Sequence, residues 1–206
     1  MIGKVVTSGT FSLDGGTWEV DNNVWIVGSA EEVVVIDAAH DAEAILAAVG
    51  GRRIKAIVCT HAHNDHINAA GALVDATGAT VRLHPGDDVL WRMEYGRERT
   101  YAPLADGETL TVGGIRLEVL HTPGHAPGAV CLHAPDLGTV FTGDTLFQGG
   151  PGATGRSYSS FEVIIDSIRK RLLSLPPETV VRTGHGPETT IGAEAPHLEE
   201  WIARGY

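Results

Sequence analysis

An apolar run, Ile54–Cys59, leads directly into Thr60-His61-Ala62-His63-Asn64-Asp65-His66. No other feature restricts the fold of this chain as much. Imidazole nitrogen and carboxylate oxygen are the usual non-thiolate ligands of zinc and similar divalent ions. In an extended segment, residues two apart point the same way, so His61 and His63 can face one point at the end of a strand. Asp65 and His66 follow where the chain turns into a helix, and can face a second point nearby. A solvated loop with Asp65 as a helix cap would also accommodate these residue types. A cluster of ligand types directly behind a buried strand nevertheless calls for a reason.

Three further residues of ligand type occupy similar places. His125 lies in Thr122-Pro123-Gly124-His125-Ala126-Pro127-Gly128, after the apolar run Ile115–Leu120. Asp144 lies in Phe141-Thr142-Gly143-Asp144-Thr145, after Val140–Phe141. His185 lies in Thr183-Gly184-His185-Gly186-Pro187, after Val180-Val181. Glycine beside each allows a sharp turn and close backbone approach. Any one of these is weak alone, because a lone histidine after a strand is more often an ordinary polar residue. Together, all at strand ends, they point to a metal centre.

The remaining pattern predicts an α/β chain. Val5–Phe11, Val24–Val27 and Val33–Ile36 read as strands separated by Asp14-Gly15-Gly16, Asn22-Asn23 and Glu31-Glu32. A helix fits Ala42–Val49, with Asp41 as N-cap and Gly50-Gly51 as the stop. Ile54–Cys59 is a strand of the continuous apolar kind, Ile67–Thr77 a helix ending at Gly78, and Val81–Leu83 a strand. Residues 85–107 are the least regular part. Strands return at Thr109–Val112, Ile115–Leu120, Ala129–Leu132, Val140–Phe141 and Thr179–Val181. Ser160–Ser174 reads as an amphipathic helix, because Phe161, Ile164, Ile165, Ile168 and Leu172 share one face. A final helix fits 192–203. Two sheets with helices outside satisfy this order as one domain spanning 1–206.

Composition narrows the function classes. Apolar residues are 43% and charged residues 20% of 206, which excludes a disordered or coiled-coil chain. The net charge of −11 disfavours nucleic acid as a partner. No apolar stretch is long enough for a membrane span and no signal peptide is visible at residues 1–12, so no membrane association is expected. Only two cysteines occur, Cys59 and Cys131. That is too few for a disulfide framework and predicts a reduced, cytoplasmic protein.

With these motifs in order, the chain resembles the metallo-β-lactamase superfamily, specifically its glyoxalase II-like hydroxyacyl-thioester hydrolases. The resemblance runs from about Val33 to Thr190. It implies an αββα sandwich of two mixed sheets with the metal site at the sheet edge. It also implies one metal held by His61, His63 and His125, and a second by Asp65, His66 and His185. Asp144 would bridge them, with Asp65 and Asp144 in the catalytic machinery. Asp37, after Val33–Ile36, matches an acidic residue that supports the ligands from behind. The implied cofactors are two divalent ions, zinc first, with iron and manganese compatible with the same ligands.

The implied reaction is attack of a metal-bridging hydroxide on the acyl carbon of a thioester, a small-molecule S-acyl or S-formyl conjugate. The thiol would be glutathione or, given the Ala, Gly and Arg richness of a GC-rich genome, mycothiol. Only about twenty residues follow His185, so the resemblance is to the compact form without a C-terminal helical domain. Asp144 in place of a thiolate or serine speaks against a true β-lactamase. Persulfide dioxygenase chemistry at one iron would use His61, His63, His125 and Asp144 alone. Lactone hydrolysis and a non-enzymatic metal-binding module also remain open.

Two segments are candidates for substrate contact. Arg156 and Tyr158 lie in the loop after Asp144. Tyr95 and Arg97 lie in 91–101, a segment rich in aromatics and arginines that is a candidate lid. His40, His84, His121, His133 and His197 match no ligand position and read as ordinary structural or surface residues. A monomer or small homo-oligomer is expected.

Overall fold

The computed structural model describes residues 1–205. The first sheet contains β1 (Ile2–Leu13), β2 (Gly16–Gly28), β3 (Glu32–Ile36), β4 (Arg53–Val58), β5 (Thr80–Leu83) and β6 (Ala102–Pro103), in that spatial order. β1–β2–β3 are antiparallel, and β3 to β6 are parallel. The second sheet contains β7 (Thr109–Val112), β8 (Ile115–His121), β9 (Val130–Ala134) and β10 (Thr139–Gly143). After a small ribbon of β11 (Leu146–Phe147) and β12 (Gly150–Pro151), it is completed by β13 (Val180–Thr183) and β14 (Thr189–Thr190). Its spatial order is β14-β13-β10-β9-β8-β7, with β10 and β13 parallel. The helices are α1 (Ala42–Val49), α2 (Asn64–Ile67), α3 (Ala70–Thr77), α4 (Asp88–Tyr95), α5 (Phe161–Ser167), α6 (Ile191–Glu194) and α7 (Leu198–Arg204). None of them is long and apolar enough to cross a membrane.

Strand alternation distributes the apolar residues among three cores. Trp25, Val27, Val34, Ile36, Leu117, Val119, Leu132 and Phe141 fill the space between the sheets. Their neighbours Val24, Ile26, Val33 and Val35 face the other way, against Ile45, Leu73, Leu90 and Trp91 of α1, α3 and α4. Cys131, Val140 and Val181 face Ile164, Ile168, Leu172 and Trp201 on the far side. The architecture is therefore helix–sheet–sheet–helix, the predicted αββα sandwich. Burial on both faces explains why the central strands read as continuous apolar runs.

Local chemistry sets several boundaries. Asp41 caps α1 by accepting from the Ala44 N–H at 2.9 Å, as the sequence predicts. The Ser160 hydroxyl accepts from the Val163 N–H and starts α5. Five expectations need correction. Asn22-Asn23 does not interrupt a strand; both lie inside β2, buried, with Asn22 donating to Asp65 and Asn23 across the sandwich to the Thr183 carbonyl. The helix expected over Ser160–Ser174 is regular only to Ser167 and continues as a π turn over Ile168–Leu172. The final helix is broken by a 3-10 turn at Ala195–His197 where Pro196 removes an N–H, and the Ile67–Thr77 helix starts only at Ala70. Part of the irregular 85–107 stretch is helix α4, which buries only Leu90 and Trp91 and so carries a weak periodic signal.

The two sheets are joined at the edge where the histidines lie. The Trp25 indole donates to the Thr183 carbonyl at 3.0 Å, and the Asn23 backbone N–H to the Gly184 carbonyl at 2.7 Å. Phe141, fully buried, meets Trp25 edge-on at 5.8 Å between centroids. Phe141→Ala is expected to cost about 3–5 kcal/mol in urea unfolding. A loss below about 1 kcal/mol would mean that the inter-sheet core is not tightly packed there.

Candidate metal centre

Each cluster residue is placed by the end of a strand. The chain leaves β3 at Asp37, which adopts a left-handed conformation with φ 57°. Its buried carboxylate accepts from the Thr60 N–H at 2.7 Å, the Thr60 hydroxyl at 2.8 Å and His66 Nδ1–H at 3.0 Å. Asp37 thus ties the loop after β4 to β3 and leaves His66 Nε2 as the nitrogen turned to the cluster. His63, not Asp65, is the N-cap of α2, and it makes no capping bond. Asp65 sits in the first turn with its carboxylate buried in the cluster, so the solvated-cap reading does not describe it.

The seven predicted ligands form three overlapping groups: His61, His63 and His125; His61, His66 and Asp144; and Asp65, His66 and His185. His63 Nδ1 lies 3.0 Å from both His61 Nε2 and His125 Nε2, and His66 Nε2 lies 3.1 Å from His185 Nε2. Asp144 stands among them. Its Oδ1 is 3.3 Å from His66 Nε2, and its Oδ2 is 3.6 Å from His125 Nε2 and 3.4 Å from His185 Nε2. Gly184 permits this approach, because a Cβ there would run into the Asp144 carboxylate and the His66 ring.

These residues fit a pair of divalent ions. Nitrogens bound to one tetrahedral zinc at ~2.0–2.1 Å lie roughly 3.3–3.4 Å apart, close to the separations here. Two ring nitrogens on the far side have other partners: His125 Nδ1 the Ala153 carbonyl at 2.8 Å, and His185 Nδ1 the Asp21 carbonyl at 2.7 Å. Those bonds leave the cluster-facing nitrogens unprotonated in the neutral tautomer. Buried Asp65 Oδ1 and Asp144 Oδ1 have no hydrogen-bond donor. A cation among them satisfies lone pairs that the protein leaves facing one another.

The two halves differ in proton affinity. Burial, reinforced by neighbouring imidazoles, pushes His61 well down and His63 to about 3, and burial also lowers His125. Burial alone would lower His66 and His185 too. The Asp144 and Asp65 carboxylates overcome it, raising His66 and bringing His185 up to about 10. Burial would raise the Asp65 carboxyl, but His66 and His185 hold it down at about 2.

Hydrogen bonds behind Asp65 involve residues that the sequence did not mark. Asn68 Nδ2 donates to His40 Nδ1 at 3.0 Å, His40 Nε2–H to Asn22 Oδ1 at 2.8 Å, and Asn22 Nδ2 to Asp65 Oδ2 at 3.1 Å. His40, expected to be an ordinary residue, is therefore linked to the centre through Asn22. The sequence carries no local signal for this role, because the partners of His40, Asn22 and Asn68, lie on other elements.

A cavity of about 360 Å³ opens over the cluster, lined by Phe11, Val20, Phe147, Ala153 and Arg156 as well as ligand-type residues. The Arg156 guanidinium lies 4.1 Å from the Trp18 ring centroid and 5.3 Å from that of Phe11. Trp18 and Phe11 belong to the β1–β2 hairpin. Asn64 holds that hairpin, accepting from the Ser12 N–H and donating to the Thr10 carbonyl. Of the other substrate candidates, Tyr158 is exposed and does not line the cavity. Tyr95 and Arg97 are not brought there either. The Tyr95 hydroxyl accepts from the Gly71 N–H at 2.9 Å and donates to the Ile67 carbonyl, fixing 91–101 against α2 and α3. Arg97 is exposed. No residue of the candidate lid 91–101 is among those lining this cavity.

The family model described as "Metallo-beta-lactamase superfamily" matches residues 17–185. The chain belongs to the metallo-β-lactamase superfamily. Within it, the chain is 40% identical to the "Probable metallo-hydrolase YqgX" of Bacillus subtilis over 68% of this chain and 72% of that one. It is 33% identical to the "Hydroxyacylglutathione hydrolase GloC" of Haemophilus influenzae over 80% and 84%, respectively. Among solved structures, "TTHA1623 in a di-iron-bound form" is 38% identical, with a TM-score of 0.77, over 85% of this chain and 93% of that one. A superfamily of metallo-hydrolases and a His/Asp cluster together assign a divalent metal site and a metal-dependent hydrolase.

The proton affinities predict two unlike binding steps. At pH 7, loading His61, His63 and His125 displaces almost no proton, because these imidazoles are already neutral. Loading Asp65, His66 and His185 displaces up to two, because both histidines there hold protons until the pH passes their raised values. Affinity for a second ion would therefore climb as pH rises toward about 10, where His185 loses its proton, while the first stays nearly level. Calorimetry in buffers of different ionisation enthalpy measures the released protons; two proton-neutral steps would contradict the assignment.

Proposed function

We propose that this chain hydrolyses an S-acyl or S-formyl thioester of a small thiol at a dinuclear centre. The observation that carries the reading is Asp144, whose carboxylate lies within 3.3–3.6 Å of His66, His125 and His185 and so spans both halves of the cluster. His61, His63 and His125 would hold one ion, and Asp65, His66 and His185 the other. Two ions bound by these residues would supply activation of water and polarisation of an acyl carbonyl.

The chain's own residues account for the rest. Asn22 donates to Asp65 Oδ2, which also lies 3.3 Å from His185 Nε2 and 3.5 Å from His66 Nε2, and so orients the ionised carboxylate that would share in holding the second ion and take the proton of the attacking water. Phe11, Val20 and Phe147 shield the acyl arm from solvent. Arg156, the one Lys or Arg among the described residues lining the cavity, would hold an anionic group on the thiol arm. A thiol with a pKa of about 8.5 departs as thiolate without a strong general acid. The similarity to a hydroxyacylglutathione hydrolase supports the thioester class.

The test is steady-state hydrolysis of paired thioesters sharing one acyl group, with glutathione, mycothiol and an uncharged thiol as arms. The wild type is expected to turn over at least one anionic thioester. Asp144→Ala is expected to abolish turnover while the protein stays folded. Arg156→Ala is expected to raise KM about tenfold for anionic thioesters, a loss of ~1.4 kcal/mol, and to leave the uncharged one nearly unchanged. Equal effects on both arms would make Arg156 a support for the hairpin only. Turnover of lactones with no thioester hydrolysed would contradict the reading.

A further inference from the structure

Asp87 is fully buried at the turn between β5 and α4. Burial pushes its carboxyl up to about 6, and no cation is among the groups that act on it. It stands at the N-cap position of α4, yet its side chain makes no capping bond. Its oxygens turn the other way. Oδ2 accepts the Ala62 N–H at 2.8 Å, and Oδ1 accepts the Gly128 N–H in a short bond.

The two donors lie on different loops. Ala62 sits between His61 and His63, and Gly128 closes the loop that carries His125. The backbones are packed closely enough to leave no room for a side chain. A Cβ on Gly128 would lie 2.6 Å from the Asp87 nitrogen, and one on Gly86 would lie 2.9 Å from the Pro127 carbonyl oxygen. Burying a carboxylate without a cation beside it is costly, so a neutral group would be favoured if it could do the same work. An amide cannot. It has one acceptor oxygen, and its NH2 would face the second N–H.

We infer that Asp87 is a positioning residue for the His61, His63 and His125 half of the centre, locking the two loops that carry these histidines at the spacing an ion requires. The inference rests on the dinuclear reading above. Asp87 touches no ligand side chain and acts through the backbone on either side of it. The other half, Asp65, His66 and His185, is held instead by Asp37, Asn22 and the Asp21 carbonyl, and does not depend on Asp87.

Asp87→Asn preserves size and removes one acceptor. The experiment titrates metal-stripped wild type and variant with zinc against a chromogenic chelator that resolves the two binding steps. Affinity in one step is expected to fall about 10–100-fold, with the other within about twofold. General loosening of the fold would weaken both steps together, and that result, or no change in either, overturns the inference. A second measurement needs no variant. In metal-stripped wild type, the Ala62 and Gly128 amides are expected to exchange with deuterium as slowly as core amides of β4. Exchange as fast as in an exposed turn overturns pre-organisation by Asp87. A wild type that takes up fewer than two zinc ions contradicts the dinuclear reading, and the exchange rates then decide the role of Asp87 alone.

Discussion

Buried lone pairs that face one another repel unless a cation or a proton lies between them. Ring nitrogens 3.0–3.1 Å apart at the edge of this sandwich create that situation several times over. The surrounding structure holds these groups together against that repulsion. Strands buried on both faces give rigid platforms, and the loops at their ends are short. Hydrogen bonds from Trp25 and Asn23 to the end of β13 keep the two sheets in register where the cluster straddles them.

Around the cluster, support comes from acceptors and amides rather than from cations. Asp37 fixes His66, the Ala153 carbonyl fixes His125, the Asp21 carbonyl fixes His185, and Asn22 fixes Asp65. Bound positive charge would compensate the buried carboxylates in a way that nearby Lys or Arg side chains do not. Arg156 is the exception, and it sits on aromatic rings at the cavity wall rather than among the ligands. That separation leaves the Arg156 charge at the cavity wall, apart from the ligand cluster.

Much of this was legible in the sequence because it depends on local pattern. The Ile54–Cys59 run followed by His61, His63, Asp65 and His66 shows both the strand and its cargo. Glycine-flanked His125, Asp144 and His185 show strand ends, and the structure brings all of them together. What escaped depends on long-range partners. Asn22-Asn23 looks like a strand break because nothing local reveals that Asp65 and Thr183 receive those amides. His40 looks ordinary because its partners, Asn22 and Asn68, lie on other elements. The 91–101 segment looks like a lid because its aromatics are conspicuous, whereas the Tyr95 hydroxyl is held against the backbone of α2 and α3.

The central claim is that both halves of the cluster hold an ion at once, with Asp144 between them. Elemental analysis of freshly purified protein tests it most directly. The account predicts two divalent ions per chain, whether zinc, iron or a mixture. One iron per chain, with Asp65, His66 and His185 remaining metal-free when excess metal is supplied, would contradict it and favour oxidative chemistry at a single ion.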